Sequence, residues 1–480
     1  MRKVTSLLIT VAAILTQIVC PGIQTLAQQR HDRPVDNLKF PPLHFSPPKP
    51  DKVQLPNGMT LYILEDHEIP AVSMFALIRT GARYDPPGKE GLASLVGTVM
   101  RSGGTKTETP DAINEKLEFT AASVETGMRT NYGTASLSAL TRDLDSTLPI
   151  FADVLMNPDF RQEQIDIARG QVLDALRREN DSPQGIAGRI FPQLIYGKDN
   201  PIVRSTTEET IKSITRDDLI QFHGKYYHPN NVILGITGDV NKDAIVKKVD
   251  DAFAGWKEEK TDLPSAAEIT SADKKGIYFV QKDIDQTTVR VGNLGVKEDD
   301  PDYFTITVAN TILGGGFSSR IVNELRTKEG LAYAASAGQA GGEKSPGYFF
   351  TFSETRADAT IRGIQTILRV IEGMREEPVT DEELSIAKES ALNSFVFAFD
   401  SPEKIVNRIV TLDYLGLPPD FLERYRNGVA AVTKEDVLRV SKKYYHPDEA
   451  TILVVGNEKA FDKPLSTLGT VTKLNLDDWK

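Results

Sequence analysis

One pattern occurs twice in this chain, and that duplication limits what the chain can fold into. Tyr226-Tyr227-His228-Pro229, followed by NNVILGITGDV, recurs 218 residues later as Tyr444-Tyr445-His446-Pro447, followed by DEATILVVGNE. Thr141-Arg142-Asp143 opens a long helical pattern, and Thr355-Arg356-Ala357 opens another 214 residues on. In both places a second helix rich in Glu, Ala and Leu comes next. Asp-Ser-Pro then follows, at Asp181-Ser182-Pro183 and at Asp400-Ser401-Pro402. Solenoid units repeat every 20–50 residues or so, so a repeat this long is a duplicated domain.

Within the halves, VSMFALIRTG (72–81), ASLSALT (135–141), NVILGITGD (231–239) and TTVRVGNLGV (287–296) alternate as strands do. Amphipathic stretches over about 92–102, 109–118, 143–156, 161–179 and 215–225 read as helices. The expected fold is α+β: two homologous domains, each a mostly antiparallel sheet with helices on one face, forming a clam-like cavity. The polar, charged stretch KEEKTDLPSAAEITSADKK (257–275) marks the junction. The expected order is a signal peptide (1–27), a Pro-rich leader (28–50), a first domain (51–258), a linker (259–275) and a second domain (276–480).

At 480 residues the chain exceeds one hydrophobic core. A net charge of −11 argues against a general nucleic-acid binder, which needs clustered Lys and Arg. Arg2 and Lys3 precede an apolar run from Leu7 to about Val19, and Thr25-Leu26-Ala27 has small residues where a signal peptidase cuts. The run is short for a membrane span. Cleavage after Ala27 leaves a mature chain without cysteine, because Cys20 is the only one. Two other readings are an uncleaved anchor and a lipoprotein, and Val19 before Cys20 argues against the second. The expectation is export to a periplasmic or extracellular space, with no stable membrane span after cleavage.

Residues 80–105 read TGARYDPPGKEGLASLVGTVMRSGGT. This stretch resembles the metal-binding helix of the pitrilysin/insulinase family of inverzincin zinc metallopeptidases, in which G-x-R-x-[DE]-x-x-G-x-x-G-[LIV]-A runs into H-x-x-E-H. The resemblance extends over most of residues 50–480 through LPNGMTLYILEDHEIP (55–70), TRDLDSTLPIFADVLMNPDF (141–160), LDALRRENDSP (173–183) and LGGGFSSRIVNELRTKEGLAYAASA (313–337). It implies two α+β halves closing around an extended peptide. It also implies a zinc site built from two imidazoles one helical turn apart, a Glu between them as general base, and a second Glu 76 or 77 residues on. Here the motif positions hold Ser94, Gly97 and Thr98, and the distal ligand position falls on Asp174 or Ala175. None of these residues carries an imidazole, so the chain is expected to bind no catalytic zinc. The remaining histidines do not rescue the site: His67 lies on a turn, His223 and His228 flank one strand, and His228 and His446, in the repeated YYHP corners, read as structural.

The second half keeps more of the pattern. In catalytic members an Arg and a Tyr seven residues apart bind substrate and steady the oxyanion. LRTKEGLAY supplies Arg326 and Tyr333 at that spacing, and both are hydrogen-bond donors suited to a carbonyl gaining charge. Upstream, Gly314-Gly315-Gly316 admits two readings, a close backbone approach to a peptide or a tight turn between helices. Some family members work as pairs, one chain carrying H-x-x-E-H and a metal-free partner supplying the Arg and Tyr. The expectation from this resemblance is a zinc-less subunit acting with a zinc-bearing homologous peptidase subunit on a peptide substrate. A noncatalytic scaffold or peptide-binding homologue is the alternative. Ser385-Ile386-Ala387-Lys388 spells S-x-x-K, but it lies in a helical run and neither SDN nor KTG follows.

Overall fold

In the computed structural model, residues 47–261, 263, 269 and 275–479 are described. The expected signal peptide, most of the leader and most of the linker lie outside them. The first half contains β1 (Asp51–Gln54), β2 (Thr60–Glu65), β3 (Ala71–Ile78), α1 (Leu92–Ser102), α2 (Pro110–Phe119), β4 (Ser123–Met128) and β5 (Gly133–Leu140). It continues through α3 (Leu144–Met156), α4 (Gln162–Arg178), α5 (Pro183–Tyr196), α6 (Glu208–Ser213), α7 (Arg216–Tyr226), β6 (Val232–Gly238) and α8 (Lys242–Ala252). The second half follows with β7 (Gly276–Gln281), β8 (Gln286–Leu294), α9 (Tyr303–Gly314), β9 (Ala332–Ala340), β10 (Tyr348–Arg356) and α10 (Thr360–Glu376). It ends with α11 (Asp381–Val396), α12 (Pro402–Leu415), α13 (Phe421–Ala431), α14 (Lys434–Tyr444), β11 (Thr451–Gly456) and β12 (Val471–Lys473).

Each half builds one six-stranded sheet, ordered β1-β2-β6-β3-β5-β4 and β12-β7-β11-β8-β10-β9. Among the described residues only β2–β6, β7–β11 and β7–β12 pair in parallel; the other ladders are antiparallel. Alternation decides the faces. In β3, Val72, Met74, Ala76 and Ile78 are buried against the first half's helices, while Ser73 and Phe75 turn to the opposite face. Helix α1 lays Leu92, Leu95, Val96, Val99 and Met100 into that core, each large side chain contributing about 1.5–3 kcal/mol.

The second face of each sheet is crossed by a helix from the other half. α5 packs Ile186, Ile190, Phe191 and Leu194 against Tyr278, Val280, Leu453 and Val455 of the second sheet. α12 packs Val406, Val410 and Tyr414 against Tyr62, Leu77 and Ile233 of the first. Asp413 of α12 is fastened by Lys52 at 2.5 Å, by the Tyr62 hydroxyl at 2.5 Å and by Arg79 at 3.6 Å. These two exchanged helices are the pair that follow the repeated Asp-Ser-Pro. Each is capped by its serine, Ser182 accepting from Gly185 and Ser401 from Lys404.

Candidate functional site

The frame around the expected metal helix survives for reasons that need no metal. Asp85 is buried and accepts backbone N–H bonds from Gly91 and Ala93, both at 2.8 Å, capping α1. Burial pushes its carboxyl up to about 7, against the pull of those two donors and Arg204. Arg83, also buried, donates to Asn131 Oδ1 at 3.0 Å and to Ser345 Oγ of the second half at 3.3 Å. Both residues hold structure together.

Along α1, Ser94 and Thr98 lie exposed one turn apart, on one face. Gly97 points the other way, under edge strand β4. A Cβ there would come within 2.8 Å of the Gly127 carbonyl carbon and the Met128 nitrogen. The Thr126 hydroxyl donates to the Gly97 carbonyl at 2.6 Å and closes the contact. The position where the motif wants a catalytic Glu therefore has no space for a side chain. Asp174 is exposed and pairs with Arg177 three residues on, at 2.8 Å, and Ala175 is exposed beside it. Two hydroxyls, a glycine and a paired surface acid do not suit zinc. Among the described residues no group of three or more His, Cys, Asp or Glu could hold a metal ion.

The histidines are scattered. His67 pairs with Asp239 at 2.7 Å on the surface. His223 is stacked on Tyr227, its Nε2 lies 2.8 Å from the Leu155 carbonyl, and burial lowers its pKa to about 4. Of the S-x-x-K residues, Ser385 bonds Glu389 at 3.0 Å and Lys388 donates to the Ala430 carbonyl at 2.8 Å, so neither group is free to act on the other.

Arg326 and Tyr333 are brought together. Arg326 lies in a π-helical turn, Asn323–Lys328, that follows the short helix Arg320–Val322. Single π-turns occur frequently at functional sites. This one is braced on both sides. Arg320 forks onto Glu383 with bonds of 2.6 and 2.9 Å, and Arg369 reaches Glu324 at 3.4 Å and Glu329 at 3.0 Å. Leu325 and Leu331 anchor it in the core. Tyr333 sits on edge strand β9, where pairing with β10 jumps from Glu354↔Ala334 to Thr355↔Ala332. Tyr333 is the extra residue of that bulge, a device that re-aims a side chain at a sheet edge. It is 74% exposed.

The Arg326 guanidinium carbon stands 5.8 Å from the Tyr333 ring centroid and 5.3 Å from that of Phe317. Phe317, 80% exposed, follows the glycine run directly. Arg326 makes no ion pair with any described residue, although Arg320 and Lys328 on the same segment are both paired. Sequence reasoning passed over Phe317. The available clue was a large aromatic residue between Gly316 and Ser318, where nothing around it calls for an apolar side chain. Of the glycines, Gly314 lies against Ala337 of β9 and Gly315 against Thr311, so both are packing contacts, while Gly316 faces open space. Behind this turn lies a cavity of about 910 Å³, walled in part by the Arg320–Glu383 and Arg369–Glu324 pairs.

Two sheets joined by exchanged helices, with a blocked metal helix in one half and an Arg–Tyr pair in the other, define a duplicated peptidase-type fold. The family model for "Insulinase (Peptidase family M16)" matches residues 61–197, and the model for "Peptidase M16 inactive domain" matches residues 213–391. A Rickettsia bellii protein described as an uncharacterized zinc protease is 27% identical over 418 residues, covering 84% of this chain and 96% of its own. A Helicobacter pylori protein described as the non-peptidase homolog YmxG is 24% identical over 398 residues, covering 82% and 91%. The crystal structure of a peptidase M16 inactive domain from Pseudomonas fluorescens superposes with a TM-score of 0.76 at 24% identity, covering 85% of this chain and 98% of that one. The chain belongs to the M16, insulinase-like, peptidase family. Within it, the second half is what the inactive-domain model matches, and the first half's metal helix carries Ser94, Gly97 and Thr98 at the zinc-motif positions.

Proposed function

We propose that this chain is the zinc-less subunit of an exported two-chain M16 peptidase, placing Arg326 and Tyr333 in a composite site whose zinc and general base belong to a homologous partner. The observation that carries this reading is the Arg326–Phe317–Tyr333 cluster. A π-turn and a β-bulge hold an uncompensated guanidinium and a phenol side by side at the surface. Both groups donate hydrogen bonds. A peptide carbonyl oxygen that gains negative charge as its carbon is attacked would be held more strongly than the resting carbonyl, which is the condition for lowering a barrier. The two rings lie within cation–π reach of the exposed guanidinium, which favours the orientation that places it beside the Tyr333 hydroxyl. The substrate in this reading is a short or unfolded peptide, paired by backbone hydrogen bonds with a sheet edge. Export rests on the segment preceding Ala27 and is checked by N-terminal sequencing of the mature protein.

The decisive experiment mixes the purified chain with a zinc-bearing M16 homologue from the same organism and follows cleavage of a quenched fluorescent peptide. Cleavage by the mixture, with neither chain active alone, is the expected result. If the zinc-bearing chain cleaves equally well without this one, the composite site is wrong and a scaffold role replaces it.

A further inference from the structure

On the inner face of the second sheet, one row of paired residues runs Tyr278–Leu453–Arg290–Phe352–Ser336 across five strands. Its first two members are buried under α5. Its last two lie beyond that helix, on the part of the face that runs to edge strand β9. Arg290 marks the boundary. Its guanidinium carbon is 5.3 Å from the Phe350 ring centroid and 5.6 Å from that of Phe352, its neighbours on the same face of β10. Its Nε is buried and has no hydrogen-bond partner, and the Arg290 side chain forms no ion pair or hydrogen bond with any described residue. Glu354, the next carboxylate on this face, is engaged by Gln184 of the first half.

A half-buried cation without a counterion is costly, and a protein normally pairs it or replaces it. The two phenylalanines compensate only in part, since cation–π contacts are weaker than a desolvated ion pair. What they do achieve is orientation, because a guanidinium fixed between two rings presents its planar fork in one direction. Of the groups that an unmodified peptide carries, carboxylate is the one this fork matches, through two parallel N–H···O bonds.

We propose that Arg290 is a preorganised anchor for a carboxylate of the bound peptide, either the C-terminal carboxylate or an acidic side chain. This deepens the composite-site reading and rests on it for the peptide. The spacing fits one extended ligand. Arg290 lies two strands from β9, roughly 10 Å, and its row meets β9 at Ser336, three residues past Tyr333 or about 10 Å along the strand. About four residues of extended peptide separate a carbonyl at Tyr333 from a carboxylate at Arg290.

The test uses a fluorescein-labelled decapeptide free of acidic side chains, made as the C-terminal acid and as the amide. A third version is an amide with one internal Glu. Binding to the mature chain alone is read by fluorescence anisotropy. The acid is expected to bind roughly tenfold more tightly than the plain amide, as a charge-assisted bidentate contact requires. Arg290→Met should bring it down to the amide's affinity and leave the amide unchanged. Tight binding of the Glu-bearing amide, abolished by the same substitution, assigns the anchor to side-chain carboxylates. Phe352→Leu keeps the charge but loosens the guanidinium, so it should lie between wild type and Arg290→Met, and it serves if Arg290→Met does not fold. Equal affinities for all three peptides, or a preference that survives Arg290→Met, would overturn the anchor while leaving the turnover test of Arg326 untouched. No binding by any peptide would overturn the anchor, while cleavage by the mixture with the zinc-bearing chain still decides the composite site.

Discussion

The two halves are copies of one layout that have diverged on opposite sides of the same sheet. The row that carries Arg290 has its counterpart in the first half as Tyr62–Gly235–Phe75–Ser136–Glu125. The tyrosine is kept. Leu453 becomes Gly235, where a Cβ would meet Val406 of α12 at 2.4 Å, so glycine here admits the exchanged helix. Arg290 and Phe352 become Phe75 and Ser136. In the first half the inner face therefore carries hydroxyls and an exposed acid, around a cavity of about 300 Å³ lined by Ser73, Ser136, Ser138, Thr237 and Glu403. In the second half it carries a caged cation. The helix side differs in the reverse sense. α1 of the first half is closed down at Gly97, while the Arg320–Lys328 segment of the second is held open by ion pairs to present Arg326. Duplication kept the scaffold, and each copy put different chemistry on it.

If the second half carries the chemistry, Arg326→Ala should have the largest effect. Turnover by the mixed enzyme should fall about 100-fold, as for loss of one oxyanion donor, with co-purification of the two chains unchanged. The same loss accompanied by dissociation would make Arg326 an assembly residue and break the comparison.

The first half should respond in stability. Gly97→Ala would ordinarily favour a helix by up to about 1 kcal/mol, yet the strand lying over it should turn this into a loss of about 2 kcal/mol in urea denaturation. Ser94→Ala, exposed on the same helix, should change stability by less than about 0.5 kcal/mol. Installing Ser94→His, Gly97→Glu and Thr98→His together should not restore stoichiometric zinc by metal analysis. If zinc binds and the variant is as stable as the parent, the metal helix is merely unoccupied and the contrast between the halves disappears.

A subtler difference is set by pH. Arg320 holds the Glu383 carboxyl at about 2, below its ordinary 4.5, despite partial burial and with help from Thr380. A depressed carboxylate stabilises the fold fully above the unfolded value and loses that contribution as pH falls through the folded one. Between pH about 4.5 and 2 the wild-type chain should therefore lose stability more steeply than Glu383→Gln, measured by the urea midpoint across that range. Matching slopes would show that the brace behind Arg326 is not formed in solution.

Much of the scaffold was legible because alternation and helical periodicity are local properties. The strand read over 72–81 is Ala71–Ile78, and the helix read over 161–179 is Gln162–Arg178. The repeat announced two sheets. It gave no sign that α5 and α12 change sides, because an amphipathic helix does not say which sheet it covers. The spacing of Arg326 and Tyr333 pointed to the cluster, and the structure places the two side by side. Phe317 and Arg290 were not visible as partners, since stacking depends on a turn and a cross-strand register that only folding sets. Arg290 leaves a trace in hindsight: a lone charge on the face of β8 opposite Val289 and Val291.

The smallest effect separates the two aromatic residues around Arg326. Phe317 and Tyr333 both stack on the guanidinium and both are exposed, so neither substitution should move the unfolding midpoint measurably. Their chemistry differs by one hydroxyl. Tyr333→Phe keeps the ring and removes a donor, so it should lower turnover roughly tenfold if that donor reaches the oxyanion. Phe317→Leu removes only a cation–π contact worth about 0.5–1 kcal/mol at an exposed site, equivalent to a two- to fivefold loss. That loss should come from a less ordered Arg326. In an Arg326→Ala background Phe317→Leu should therefore cost nothing further, whereas two independent contacts would add. Kinetics of the four chains with the zinc-bearing partner decide it. Full additivity would mean that Phe317 touches the peptide directly, and the cluster would then be two adjacent contacts, with no stacked unit.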